Sequence, residues 1–99
     1  VLGDMLELGA FEEQGHVKVG KRVAEVCDIL VAVGERSKIT VKAALAAGMP
    51  KGNIFWFSKV PRVTAFLQTY LAAGDVALIK GSLGMAMSQI VTALEVVHD

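Results

Sequence analysis

The run Asp28-Ile29-Leu30-Val31-Ala32-Val33-Gly34 is apolar at every position between its ends and rich in β-branched residues. A strand with one wet face alternates apolar and polar side chains, whereas a strand that is apolar throughout has both faces covered. This run therefore demands a layer on either side of a sheet. The segments around it supply those layers. From about Glu12 to Cys27, the positions His16, Val19, Val23, Val26 and Cys27 recur at helical spacing. Gly20 lies on the same stripe, where a missing side chain lets the helix come close to a sheet, and Glu12 and Glu13 fall at the dipole-favoured start.

The alternation continues. A second helix is expected from about Arg36 to Ala47, with Val41, Ala44 and Leu45 inward, Gly48 as terminator and Pro50 beyond it. Ile54-Phe55-Trp56-Phe57 is a short aromatic strand. Ser58 is placed to cap the next helix, Pro61 suits its first turn, and Val63, Phe66, Leu67 and Tyr70 form its inner face as far as Gly74. Asp75-Val76-Ala77-Leu78-Ile79 reads as the last strand. Lys80-Gly81-Ser82-Leu83-Gly84 then turns into a final helix carrying Met87, Ile90, Val91, Leu94 and Val97.

Strands alternating with helices give βαβ units. The expected fold is α/β, a Rossmann-like three-layer sandwich with a mostly parallel sheet, in a single domain over residues 1–99. Val1-Leu2-Gly3-Asp4 leaves less than the five or six residues a strand usually takes, so the first strand is expected to be truncated, its earlier residues lying upstream. A hydrophobic content of 54% and a mean hydropathy of +0.53 fit strands covered on both faces, or an apolar surface meant for a neighbour.

Ten basic residues balance ten acidic ones, which removes the electrostatic case for a nucleic-acid surface. The longest apolar runs, Ile29–Val33 and Val76–Ile79, fall well short of a membrane span, and no signal-peptide pattern opens the chain. One cysteine excludes an internal disulfide framework. A cytoplasmic module is the expectation.

In an open parallel sheet, ligands gather beyond the carboxyl ends of the strands. Gly3–Gly9, Gly34–Ser37 and Lys80–Gly84 are expected there. In Lys80-Gly81-Ser82-Leu83-Gly84 two glycines flank a serine at a strand-to-helix turn. Backbone N–H groups at the helix start could face an anion, with the Lys80 charge and the Ser82 hydroxyl added. The plainer reading is a helix cap and a permissive glycine. The segment is neither a Walker A loop nor a GxGxxG fingerprint. Asp4 and Glu7 place two carboxylates in the first loop, able to orient an amine, a ribose hydroxyl or a metal-bound water, or simply to be solvated. Glu13 and His16, with Glu12, have a spacing that could hold a metal, but two ligands on one helix make a weak site and His98 is distant in sequence. His16 and Cys27 are read as structural residues of the inward stripe. Met85, Met87 and Trp56 are read as packing. No catalytic and no metal-binding residue is assigned.

Taken together, two of these segments are far more specific. Val1-Leu2-Gly3-Asp4-Met5-Leu6-Glu7-Leu8-Gly9, followed by His16 and Val19-Gly20, resembles the opening of the C-terminal domain of Mur ligases of the D-alanyl-D-alanine-adding type. The later Gly74-Asp75-Val76, Lys80-Gly81-Ser82, Gly84-Met85 and Met87 match in order, with Val33-Gly34-Glu35 between them. The resemblance implies the last part of a three-domain ATP-dependent ligase of cell-wall peptidoglycan synthesis, whose central domain binds ATP and magnesium. The C-terminal domain would close over the nucleotide and deliver D-alanyl-D-alanine to the activated carboxylate of UDP-N-acetylmuramoyl-tripeptide. It further implies that Lys80, Gly81 and Ser82 bind the incoming amino substrate, that Asp4 and Glu7 contact substrate or nucleotide, and that the domain alone binds no cofactor and has no ligase activity. An Asn-Pro segment of the family would lie upstream. Leu83 stands where the family has an arginine. Two other readings stay open: a stand-alone small-molecule binding module, and an interaction domain without chemistry.

Overall fold

In the computed structural model, which describes residues 1–95, the apolar run forms a central strand, β1 (Leu30–Val33), buried along its whole length. Beside it runs β2 (Ile54–Phe57), parallel, with Leu30 opposite Ile54 and Val33 opposite Phe57. On its other side the chain start takes a place in the same sheet. Leu2 bridges Ala32 on one flank and Lys80 on the other, both parallel. Leu2 N–H donates to the Val31 carbonyl at 2.8 Å and Val33 N–H to that of Leu2 at 2.9 Å, while Gly3 N–H donates to the Lys80 carbonyl at 2.8 Å. The order across the sheet is thus β2, β1, residues 1–3, residues 78–80.

Four helices cover it: α1 (Glu12–Val26), α2 (Ser37–Ala46), α3 (Val60–Tyr70) and α4 (Ser88–Glu95). Alternate residues of β1 serve opposite faces, as the pleat requires. Leu30 and Ala32 pack with Val23 of α1, Ala44 of α2 and Met49. Val31 and Val33 pack with Val63 and Leu67 of α3 and Met87 and Ile90, the latter on α4. The result is the expected α/β sandwich with its parallel sheet between helical layers.

Several local expectations need correction. Gly20 admits α2 rather than the sheet: a Cβ there would fall 2.7 Å from Ala43 Cβ and closer still to the Thr40 carbonyl. In α2 the buried face is Ser37, Thr40, Ala43 and Ala44, and Leu45 is exposed. Ser58 does not cap α3, which starts after Lys59 with no side-chain cap and with Pro61 in its first turn. Cys27, expected on the inward stripe, is exposed, as is Val26, because α1 ends there and the chain becomes extended. Residues 75–79 form no regular strand: a strand needs a partner along its length, and residues 1–3 reach only residues 78–80. Val97 and His98 lie outside the described residues.

Candidate functional site

The loop Gly3–Gly9 leaves the sheet at the carboxyl end of the first segment and is tied down from three directions. Asp4 is the deepest tie, only 3% exposed. Its Oδ1 accepts from the Ser37 amide at 2.7 Å and the Ser37 hydroxyl at 2.8 Å, and its Oδ2 accepts from the Arg36 amide at 3.2 Å. These amides belong to the start of α2, which has no cap from its own N-cap residue, Arg36. Asp4 therefore acts as a cap supplied from a distant loop, bringing negative charge to the positive end of the helix. The Arg36 guanidinium lies 3.8 Å from Asp4 Oδ2 and donates through Nε to Glu12. That hydrogen bond, followed by the charge of Glu12, raises the Arg36 pKa above its ordinary value.

His16 makes the second tie. It is 1% exposed, and its Nε2 faces the Met5 amide at 3.2 Å while Nδ1 lies 2.7 Å from the Glu12 carbonyl. A ring nitrogen that meets an N–H must accept and one that meets a carbonyl must donate, which fixes the tautomer with its proton on Nδ1. The structural reading of His16 thereby gains a definite content, since the ring holds the loop to α1.

Ser82 makes the third. The Leu6 amide donates to Ser82 Oγ at 2.9 Å, and the Ser82 amide donates to the Asp4 carbonyl at 3.2 Å. Close contact is possible because Gly81 faces Gly3: a Cβ on Gly81 would lie 3.3 Å from Gly3 Cα and 2.7 Å from Met87 Cγ. The two segments singled out in sequence, 76 positions apart at Leu6 and Ser82, meet at one sheet edge. Here too the structure corrects an expectation. Lys80–Gly84 does not open α4 directly: a 3-10 turn, Leu83–Met85, intervenes, and the helix begins at Ser88. The α-helix start expected directly behind Ser82 is thus displaced to Ser88, and only the single 3-10 turn follows Ser82. What the turn offers is the Ser82 hydroxyl hydrogen, left free to donate when Oγ accepts from Leu6, together with the exposed Lys80.

Glu7 is exposed at the tip of the loop, whereas Asp4 is fully engaged. Between loop and turn opens a cleft of about 210 Å³ bordered by Gly3, Met5, Lys80, Gly81 and Ser82. Ligand sites run to roughly 300–1,000 Å³, so this cleft, closed behind by Val19 and Thr40, is too small to enclose a ligand of that size by itself. Among the described residues no group of three or more His, Cys, Asp or Glu could hold a metal, and no helix is long and apolar enough to cross a membrane. Neither a phosphate-cradling loop nor a metal-ligand set is present there to fit ATP or magnesium.

The remaining sequence candidates have ordinary places. Met87 is buried in the core and Met85 packs against it. Trp56 donates through Nε1 to the Gly34 carbonyl at 2.8 Å, and Lys38 lies over its ring. Sequence reasoning missed Ser37 and Arg36 as partners of Asp4. The sequence hinted at most that α2 lacks a capping residue immediately before Ser37, which does not name Asp4, and α1 and α3 also start without a side-chain cap.

The family model of the Mur ligase, glutamate ligase domain, matches residues 1–83. No solved structure matches the chain.

Proposed function

The chain belongs to the Mur ligase family as its glutamate ligase domain, and we propose that it delivers D-alanyl-D-alanine in the ligase that extends UDP-N-acetylmuramoyl-tripeptide. The family is one of ATP-dependent ligases of peptidoglycan precursor synthesis. In the proposed reaction the tripeptide carboxylate receives the terminal phosphoryl group of ATP. The amine of the dipeptide then attacks the acyl phosphate, releasing phosphate and forming the amide. Residues 1–99 would be the last domain of that enzyme, with ATP and magnesium held mainly by its other domains.

One observation carries the assignment of roles: Leu6 and Ser82 bring the loop and the turn together beyond the carboxyl ends of parallel strands, where such folds bind ligands. Ser82 donates its free hydroxyl hydrogen to the carboxylate of the incoming substrate, and Lys80 neutralises that charge. Gly81 keeps the turn close enough for both. Asp4 accepts from Ser37 and Arg36 and so positions the loop, leaving Glu7 as its substrate-facing carboxylate. The small cleft beside Lys80, Gly81 and Ser82, backed by Val19 and Thr40, suits this division if another domain completes the site when the enzyme closes.

The test is steady-state kinetics of the complete ligase, varying each substrate in turn. Ser82→Ala should raise KM for D-alanyl-D-alanine about ten- to a hundredfold, the worth of a hydrogen bond to a charged group, and KM for ATP much less. Efficient use of glutamate in place of the dipeptide would instead fit the description of the family's glutamate ligase domain and overturn the dipeptide assignment.

A further inference from the structure

Thr40 lies on the inner face of α2, one turn beyond Ser37, and is 2% exposed. Packing fixes its place: the bare Gly20 lets α1 and α2 come so close that a Cβ there would collide with the Thr40 carbonyl oxygen. A threonine within a helix either turns its hydroxyl to solvent or bonds it to the carbonyl four residues back. Thr64 does the second with Val60 and Thr92 with Ser88. The Thr40 hydroxyl makes no hydrogen bond among the described residues, yet every sealed side-chain polar atom among them has a partner. A hydroxyl that has no partner and is not sealed opens on space. The space that Thr40 borders is the cleft beside Lys80, Gly81 and Ser82.

The chemistry of the cleft narrows what can meet that hydroxyl. Leu2, Met5 and Val19 give it apolar sides, and among the described residues the exposed Lys80 is the one charged group on its border. A second carboxylate carried in to Thr40 would exchange its hydration for a single hydrogen bond, at a cost far above that of a neutral group. A purely aliphatic group would strand the hydroxyl. The amine of an incoming substrate must stay open to the acyl phosphate that it attacks. What remains is a neutral acceptor with small apolar flanks.

We propose that Thr40 is a specificity-determining residue: its hydroxyl donates to the peptide carbonyl of D-alanyl-D-alanine, whose methyl groups meet Leu2, Met5 and Val19. This rests on the reading that Lys80 and Ser82 hold the carboxylate of that dipeptide. It adds what separates the dipeptide from a single amino acid, which has no internal carbonyl to bring to Thr40.

The complete ligase is assayed with D-alanyl-D-alanine and with its alkene isostere, which keeps the amine, both methyls and the carboxylate but has a carbon–carbon double bond in place of the peptide group. The parent enzyme should favour the dipeptide roughly three- to tenfold in kcat/KM, the worth of a hydrogen bond between neutral groups. Thr40→Val keeps the shape and removes the hydroxyl. It should lower kcat/KM for the dipeptide by that factor, leave the isostere and KM for ATP unchanged, and so abolish the preference, since one hydrogen bond underlies both losses. Thr40→Ser should retain the preference. Because the preference is a ratio measured within one protein, a smaller folded fraction of either variant cancels from it. A preference that Thr40→Val leaves undiminished, or that Thr40→Ser loses as well, would overturn the role of Thr40 while the dipeptide reading stands. Turnover of glutamate and not of the dipeptide by the parent enzyme would overturn that reading, and the role of Thr40 with it.

Discussion

The Leu6 amide donates to the Ser82 hydroxyl oxygen at 2.9 Å. This bond and that of the Ser82 amide to the Asp4 carbonyl join the two segments of the chain that most suggest ligand chemistry, and the first uses the acceptor side of Ser82 and not its proton. The structural tie of Ser82 and its proposed ligand role are separable, and they predict different things. In the isolated domain, Ser82→Ala should lower stability by about 1 kcal/mol, the net worth of an ordinary hydrogen bond, as read by denaturant unfolding. Ser82→Thr should restore stability. A Ser82→Ala domain as stable as the parent, with the Leu6 amide still protected from exchange, would mean that this contact is not formed in solution.

Asp4 should be the more sensitive position. Asp4→Ala strands the Ser37 amide, the Ser37 hydroxyl and the Arg36 amide at the start of α2, and leaves the Arg36 guanidinium more dependent on Glu12 alone. Loss of a helix cap costs about 1 kcal/mol and unsatisfied buried donors about 1–3 kcal/mol more, so a total of roughly 2–4 kcal/mol is expected. Asp4→Asn keeps one acceptor and should lose less. Thermal unfolding of both variants decides it; an unchanged midpoint for Asp4→Ala would remove Asp4 from its role as the cap of α2.

His16 is predicted to act through the loop rather than on a ligand. His16→Phe fills similar space but offers neither an acceptor to Met5 nor a donor to Glu12. Exchange of the Met5 amide should accelerate, and stability should fall by about 1–3 kcal/mol. In the complete ligase, kcat and KM should move together with loop order. A variant that abolished turnover with the Met5 amide fully protected would make His16 a catalytic residue instead.

What the sequence made legible follows from how each feature is encoded. The apolar run of β1 and the stripe His16, Gly20, Val23 are local patterns whose period names the element, and they were found where expected. Residues 75–79 carry an equally apolar pattern yet form no strand, because pairing depends on a neighbour and not on the residues themselves. Cys27 failed for a related reason: periodicity places it on the inner stripe, but the helix stops one residue earlier. The segments of the candidate site were legible as segments. Their joining was not, because Asp4 to Ser37 and Leu6 to Ser82 are contacts between residues far apart in sequence, and nothing in the local pattern of either partner announces the other.

Gly81 provides the sharpest test of whether that joining matters. An added methyl would press hardest on Met87 Cγ, 2.7 Å away near the root of a buried side chain, and more lightly on the Gly3 backbone, 3.3 Å away. Gly81→Ala should therefore push the turn away from the loop and stretch the Leu6–Ser82 bond, at a stability cost of about 1–3 kcal/mol for overpacking. Gly81→Val should cost more. If the loop and turn form one binding wall, the kinetic effect of Gly81→Ala in the complete ligase should exceed that of Ser82→Ala, since it displaces Ser82 and Lys80 together. Met87→Ala makes room for the new methyl on one side only, so in the double variant it should recover the part of the loss due to Met87 and leave the part due to Gly3. Full recovery in the double variant, in both stability and KM for the amino substrate, would show that the Gly3–Gly81 approach has no role and that the turn binds its ligand without the loop.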